Sequence, residues 1–435
     1  MATNTPRKWS VSSFIHQEFS GAIVLFACVV LAIGWANSPW SDSYHHFWET
    51  RFAVSFDDYR LDQPLHSWVN DGLMAIFFFL IGLELKREFM AGELSTAQKA
   101  TLPAVAALGG MLVPGLIYFL INRGTPSEGG WGIPMATDIA FALALISLAG
   151  KHIPASLKVF LSALAVADDL GAVLVIAFFY TAKIALVPLL IGSGLLLVLA
   201  WGNRMGVRSL LFYGVIGMAI WICFLLSGIH ATIAGVLVAF MIPARTRINE
   251  DEYMDSMLRL TEQFRHADRL NSPLITRDQL LLIAEAKQVN LDAETPLQKI
   301  EYALHPWVTF VIMPLFALCN AGIPIKADFF SQLANPVSVG VMAGLVIGKF
   351  TGVFLFTWIM VKLKLSSLPL GARWPQMAGV ALLAGVGFTM SLFVTELAFE
   401  DSVLIDYSKY GILLASIVSG AFGLFVLKRS ARRPG

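Results

Sequence analysis

Charge is what this sequence has least of. Only 14% of its 435 residues are Asp, Glu, Lys or Arg, against about 25% in soluble domains. That shortfall, with 57% hydrophobic residues and a mean hydropathy of +0.69, excludes a string of soluble domains. Cysteine is scarce as well. Cys28, Cys223 and Cys319 are odd in number, lie inside apolar runs and lack metal-ligand spacing. They read as small buried hydrophobes, not as a disulfide framework. The formal net charge of +1 identifies no partner; neither nucleic acid nor a cofactor is expected.

Apolar runs are what the sequence has instead. They come in blocks of roughly 20 residues, the length of a helix that crosses a bilayer. About twelve spans are expected, with approximate cores at 20–38, 68–85, 100–121, 134–149, 156–180, 184–201, 209–226, 228–243, 305–322, 337–362, 376–398 and 406–428. This predicts an all-α polytopic membrane protein whose residues 1–435 form a single integral domain. With the N-terminus inside, the inner segments hold 24 Lys and Arg against 6 outside. Both termini are therefore expected in the cytoplasm. A basic stretch precedes the first block, as in a signal peptide, but Glu18 and the length of the block favour a span.

Two connections are long. Residues 40–67, on the outer side, contain two short alternating runs about Asp57–Asp58, which fit a small β-hairpin or an irregular loop. Residues 244–304, on the inner side, form a polar insertion between the eighth and ninth spans. Thr276 with Gln279, and Thr295 with Gln298, have capping-box spacing, the second with Pro296 at the first helical position. Two or three short helices are expected there. Met254, Met257, Leu258 and Phe264 share one face, expected to lie against the membrane domain. The insertion reads as a structural linker or a regulatory lid.

Few charges interrupt the spans: Asp71, Asp138, Asp168, Asp169 and Lys349, with Glu84 and Glu88 at a helix end. A carboxylate at bilayer depth costs about 2.5–3.5 kcal/mol on insertion scales, so such groups mark ion pathways by default. Two spans are also interrupted. Pro134 and Thr137 precede Asp138 in the short fourth span, and Gly385, Gly387 and Thr389 interrupt the eleventh. A break exposes backbone groups, which is tolerated only in protein or beside a cavity. Two broken spans in corresponding halves point to a transporter site near the midplane. Spans 3–4–5 and 10–11–12 start on opposite sides of the membrane. Two inverted repeats, with two discontinuous helices crossing near the midplane, are therefore expected.

Lys349 stands one position off a stripe of Gly340, Gly344, Gly348 and Gly352, a face suited to close helix packing. It is too far from either span end to snorkel easily, so a carboxylate should be near. Asp168 and Asp169 are about 100° apart on a helix. One can pair with Lys349 while the other faces an open cavity; Asp168 is the better partner and Asp169 the better exchanging site. So close a pair titrates as a coupled system. A hard cation such as Na⁺ wants oxygen ligands, and Asp138, Asp168, Asp169, the Thr137 hydroxyl and freed carbonyls supply them. The same oxygens cannot hold both proton and metal.

The segments MATDIAFAL, ALAVADDLGAV, GLELKREFM, SGIHATIAGV, HPWV, IGKFTG and GVGFTMSLF together resemble the NhaA family of bacterial Na⁺/H⁺ antiporters, in order and spacing from about residue 18 to 428. The resemblance implies that Asp168 and Asp169 bind Na⁺ and protons, that Lys349 pairs with the first, and that Asp138 and Thr137 are the charge and ligand at the first break. It makes Glu84, Lys86, Arg87 and Glu88 a cytoplasmic pH-response cluster, with His230 and Glu301 as further candidates. Those cluster charges also suit a plain positive-inside helix end with an i,i+4 pair. It implies electrogenic exchange of Na⁺ or Li⁺ for more than one H⁺, transport and not enzymatic chemistry, the bacterial inner membrane, and a homodimer served by the outer hairpin. Two features depart from the family pattern: the long 244–304 insertion, and Tyr302 where relatives often carry a histidine. A Na⁺-coupled symporter of an organic anion is the alternative on the same fold. It needs a polar or basic substrate pocket beside the crossed breaks, and the core spans hold one lysine and no arginine. A channel would show a repeated filter, and none is visible.

Overall fold

The computed structural model describes residues 11–56, 59–150, 152–180, 184–267, 274–325 and 329–431. The expected hairpin turn Asp57–Asp58 lies outside the described residues, as do Arg7, Lys8, Lys151, Lys183, Arg269, Lys326, Arg432 and Arg433 of the charge count.

The chain is mostly helical, because a backbone in hydrocarbon must satisfy its own polar groups. Nine helices among the described residues are long and apolar enough to cross a membrane. They are Phe19–Ala36, Leu65–Ala91, Ala97–Asn122, Ala155–Phe179, Leu186–Arg204, Leu210–Ser227, Pro296–Asn320, Pro336–Lys362 and Ser402–Ser430. Two helix pairs are sharply bent: Glu128–Met135 with Ile139–Leu148 by 40°, and Trp374–Leu383 with Phe388–Ala398 by 43°. The segment expected as the eighth span holds a shorter apolar helix, Ala231–Met241. The protein is a multi-pass membrane protein.

Burial orders these helices. Leu186–Arg204 has 17% of its apolar window buried, and Leu186, Val187, Leu190 and Leu197 point outward. Ala155–Phe179 has 67% buried. The helix with the two aspartates is thus central and the other peripheral. Ala97–Asn122, Leu65–Ala91, Trp374–Leu383 and both halves of the first bent pair pack on the aspartate helix.

The glycine stripe does what its spacing predicts. A Cβ at Gly352 would lie 2.1 Å from the Gly109 carbonyl, and one at Gly348 would lie 2.7 Å from the Pro114 Cα. Pro336–Lys362 and Ala97–Asn122 can meet backbone to backbone only because those side chains are absent. The lysine helix also carries a wide π-helical stretch, Ala343–Gly348, immediately before Lys349. Such bulges often mark functional positions.

The connection at residues 40–67 holds helix Ser41–Glu49 and a hairpin. Arg51–Phe56 and Tyr59–Pro64 pair antiparallel, in register from Arg51 opposite Pro64 to Phe56 opposite Tyr59. The insertion forms helices Glu250–His266 and Arg277–Ala293, and a third, Pro296–Trp307, leads into the ninth expected span. The Thr276–Gln279 capping box is made, and Asn249 with Glu252 makes another. The expectation for its apolar face is corrected: Met254 and Leu258 are exposed, and Leu260 is the buried residue of the helix. Glu250–His266 packs instead on Arg277–Ala293.

Candidate functional site

Proline and glycine make the two breaks. Pro134 offers no N–H to continue a ladder, and the chain extends through Ala136 to Asp138 before the helix resumes at Ile139. In the second pair the helix stops at Leu383 and restarts at Phe388. A Cβ at Gly385 would meet the Leu345 carbonyl at 2.4 Å, and one at Gly387 the Ala136 carbonyl at 2.9 Å. These glycines let the second break lie against both the lysine helix and the first break. Thr389, expected as part of the interruption, lies inside the restarted helix.

Asp138 joins the breaks. Its amide donates to the Val386 carbonyl at 2.7 Å. Its Oδ1 accepts from the Phe141 amide at 3.2 Å, capping Ile139–Leu148. Its Oδ2 accepts from the Thr389 amide at 3.0 Å and from the Thr389 hydroxyl. One carboxylate thus serves the orphan amides, and the partial positive charge, of two helix N-termini. Lys349 answers the opposite pole: its ammonium donates to the carbonyl of Met135, where the first half-helix ends.

Lys349 is fully buried, and its Nζ lies 2.7 Å from Asp168 Oδ2. The Thr137 hydroxyl lies 2.8 Å from the same oxygen and 2.9 Å from the Ala384 carbonyl. It has one proton to give, so it serves one of them well at a time. Asp168 Oδ2 is therefore fully engaged. Asp168 Oδ1 and both Asp169 oxygens have no hydrogen-bond partner, although the two residues are 0% and 1% exposed. Buried polar atoms in folded proteins are seldom left this way. Asp169 lies within electrostatic range of Asp168, Asp138, Lys349 and Glu84. The expectation of an open cavity at Asp169 is corrected: the helices packed on Ala155–Phe179 close around the pair.

The charged end of Leu65–Ala91 forms a second cluster. Lys86 Nζ donates to the Phe240 carbonyl at 2.7 Å and to that of Ile242, closing the C-terminal end of Ala231–Met241. Arg87 pairs with the buried Glu301 and also reaches Glu88 Oε1 at 3.1 Å. Glu88 Oε2 accepts from the Glu93 amide at 2.9 Å. Glu84 is half-buried on the same helix. His230 is not part of this cluster. It stands at the opposite end of Ala231–Met241, with Nε2 2.9 Å from the Tyr180 carbonyl. Asp71 lies beside Trp68 and Trp221 in a shallow cavity.

Three features escape sequence reading here: the dual capping by Asp138, the wide turn before Lys349, and a further, half-buried charge pair, Glu396 with Lys409. Only the last had a signal. Glu396 and Lys409 fall inside the expected eleventh and twelfth spans, so a full count of charges within the spans finds them.

The chain has relatives that match it along nearly its whole length. The family model described as Na⁺/H⁺ antiporter 1 matches residues 12–427. The Na⁺/H⁺ antiporter NhaA 2 of Syntrophotalea carbinolica is 47% identical over 427 residues, covering 98% of this chain and 98% of its own. The Na⁺/H⁺ antiporter NhaA of Acidithiobacillus ferrooxidans is 47% identical, covering 97% of this chain and 98% of its own. The corresponding protein of Helicobacter pylori strain G27 is 45% identical, covering 97% and 96%. By a match that runs almost from end to end, the chain belongs to the Na⁺/H⁺ antiporter 1 family.

Proposed function

We propose that this protein exchanges Na⁺, and Li⁺, for H⁺ across a bacterial inner membrane by alternating access, with the aspartate pair as the shared site. The observation that carries the reading is the set of three buried, unpartnered carboxylate oxygens on Asp168 and Asp169 beside the two breaks. Oxygen donors are what a hard cation requires, and they are equally what a proton requires. Thr137 adds a hydroxyl oxygen when its proton turns to the Ala384 carbonyl. In the Na⁺-free state Lys349 neutralises Asp168, and Asp169 holds a proton. Na⁺ entering displaces that proton and loosens the lysine's hold on Asp168. Two carboxylates and one ammonium can give up more than one proton per Na⁺, which makes the exchange electrogenic. Asp138 keeps the half-helices together while the cargo changes. No covalent bond is made, so the protein acts as a transporter.

The frame for this is a single transporter domain of twelve spans: the long helices, the two bent pairs and Ala231–Met241. Ala97–Phe179 and Pro336–Ala431 form inverted triplets whose discontinuous helices cross near the midplane. Both termini are cytoplasmic, residues 244–304 are a cytoplasmic insertion, and the hairpin Arg51–Pro64 serves a homodimer. Glu84, Lys86, Arg87, Glu88 and Glu301 form the cytoplasmic pH-response cluster; His230 lies too far away to join it. An organic-anion symporter is disfavoured because Lys349, the one buried cation among the described residues, is already paired. The test uses everted vesicles with a pH-gradient dye. Na⁺ and Li⁺ should dissipate the gradient, and Asp169→Asn should abolish the response. A normal response from Asp169→Asn overturns the site, and dissipation by an organic anion but not by Na⁺ overturns the function.

A further inference from the structure

A chain of polar residues joins four helices at the end of the molecule that carries the hairpin. Glu396 Oε1 lies 3.1 Å from Lys409 Nζ, and its Oε2 lies 3.5 Å from His66 Nε2. The same His66 nitrogen lies 3.0 Å from Asn70 Nδ2. Asn320 fixes the orientation of Asn70. Its Nδ2 donates to the Phe316 carbonyl at 3.0 Å and to Asn70 Oδ1 at 2.9 Å. Asn70 must therefore turn its NH₂ group toward His66 and, more weakly, toward Asn320 Oδ1 at 3.4 Å. His66 Nε2 then accepts from Asn70 and presents no proton to Glu396.

That nitrogen has two incompatible neighbours, a donor and a carboxylate. Neutral His66 suits Asn70. Protonated His66 suits Glu396, and releases Asn70 to close on Asn320. Both changes tighten the contact between Leu65–Ala91, Phe388–Ala398 and Pro296–Asn320. Glu396 and Lys409 have side chains only 12% exposed, whereas His66 is 37% exposed, so protons from solvent reach the histidine.

We propose that His66, with Glu396, Lys409 and Asn70, is a second proton-binding site on the outer face, distinct from the aspartate pair, and that its occupancy latches the outer end of the second broken helix. It rests on the transport reading above. Histidine is the side chain that changes charge between about pH 5 and 8. A proton taken up at His66 from the outer side closes the latch and slows outward opening, and its loss releases it.

Other charges face this site. Asp71, on the same helix, lies within electrostatic range of both His66 and His230. Tyr44 and Cys319 lie within range of Glu396. Helix Ser41–Glu49, packed beside Leu65–Ser67, carries Asp42, His45, His46 and Glu49. None replaces His66 at the Glu396 carboxylate in the contacts above, so the substitution at His66 isolates the switch.

Right-side-out vesicles with equal, saturating Na⁺ on both sides provide the test, read as exchange of radioactive Na⁺ with no net proton drive. Lowering the outer pH from about 7.5 to about 5.5 should slow the unsubstituted protein roughly fivefold, the low end of coupling between linked sites. His66→Gln should flatten the outer profile and leave the inner-pH profile as it was. His66→Arg, charged at all pH, should be slow throughout. Glu396→Gln, which denies protonated His66 its partner, should flatten the profile too, and provides a second variant if one at His66 does not fold. An outer profile that survives both His66→Gln and Glu396→Gln overturns the latch. Absence of Na⁺ exchange at every pH in the unsubstituted protein overturns the transport reading instead.

Discussion

Two lysine–carboxylate pairs lie within the helical bundle, and their surroundings set them apart. Lys349–Asp168 is sealed, with 0% exposure on both sides, and beside it stand three carboxylate oxygens without partners. Lys409–Glu396 is nearly as enclosed, at 12% on each side, but both Glu396 oxygens face a base. The bond is the same and the prospects differ. Sealed oxygens with no partner suit a cargo; an oxygen that faces a histidine able to gain a proton suits a contact that tightens or loosens. Both charge pairs lie on or beside a bent helix pair.

Breaking each pair should separate them most widely. Lys349→Met leaves Asp168 buried without its ammonium, which costs about 3–5 kcal/mol. Lys409→Met leaves a slightly wetter carboxylate with His66 still present, and should cost about 1–2 kcal/mol, between the buried and surface ranges. Thermal unfolding in detergent measures both, and equal losses would remove the distinction. Next comes the clasp between the breaks. Asp138→Ala removes two caps of about 1 kcal/mol each, so roughly 2 kcal/mol of stability should go, together with Na⁺-dependent dye response.

A third pair, in open water, sets the lower bound. Arg247 and Asp292 meet at 3.1 Å in the insertion. A hydrogen bond from Gln288 and the Arg247 guanidinium hold the Asp292 carboxyl below the usual carboxylate range. A lowered folded value means that its contribution is present at neutral pH and is lost as pH falls through that value. Asp292→Asn should reproduce the acid effect at pH 7: slightly faster hydrogen exchange at residues 245–249, with transport unchanged.

Much of this was legible in the residues themselves. Asp168, Asp169 and Lys349 stood out because charge in an apolar run has few benign explanations. Pro134, Gly385 and Gly387 marked breaks that the helices do show, and the glycine stripe predicted the close approach at Gly109. Asp138 was readable as an important acid but not as a shared cap, because its partners Val386 and Thr389 are about 250 positions away. The wide turn at Ala343–Gly348 has no sequence signature. Lys409 lies near the start of the expected twelfth span, where only a full count of charges within the spans singles it out. Met254 and Leu258 share a helical face, but periodicity cannot say what that face meets, and here both side chains are left exposed.

The central claim is that protons and Na⁺ compete for the oxygens of Asp168 and Asp169. Na⁺ affinity of the purified protein, measured by calorimetry across pH, tests it most directly. The apparent Kd should fall about tenfold per pH unit for each proton displaced, more steeply than tenfold where more than one proton leaves, and binding should vanish in Asp169→Asn. A Kd that does not change with pH, or undiminished binding by Asp169→Asn, would contradict the account.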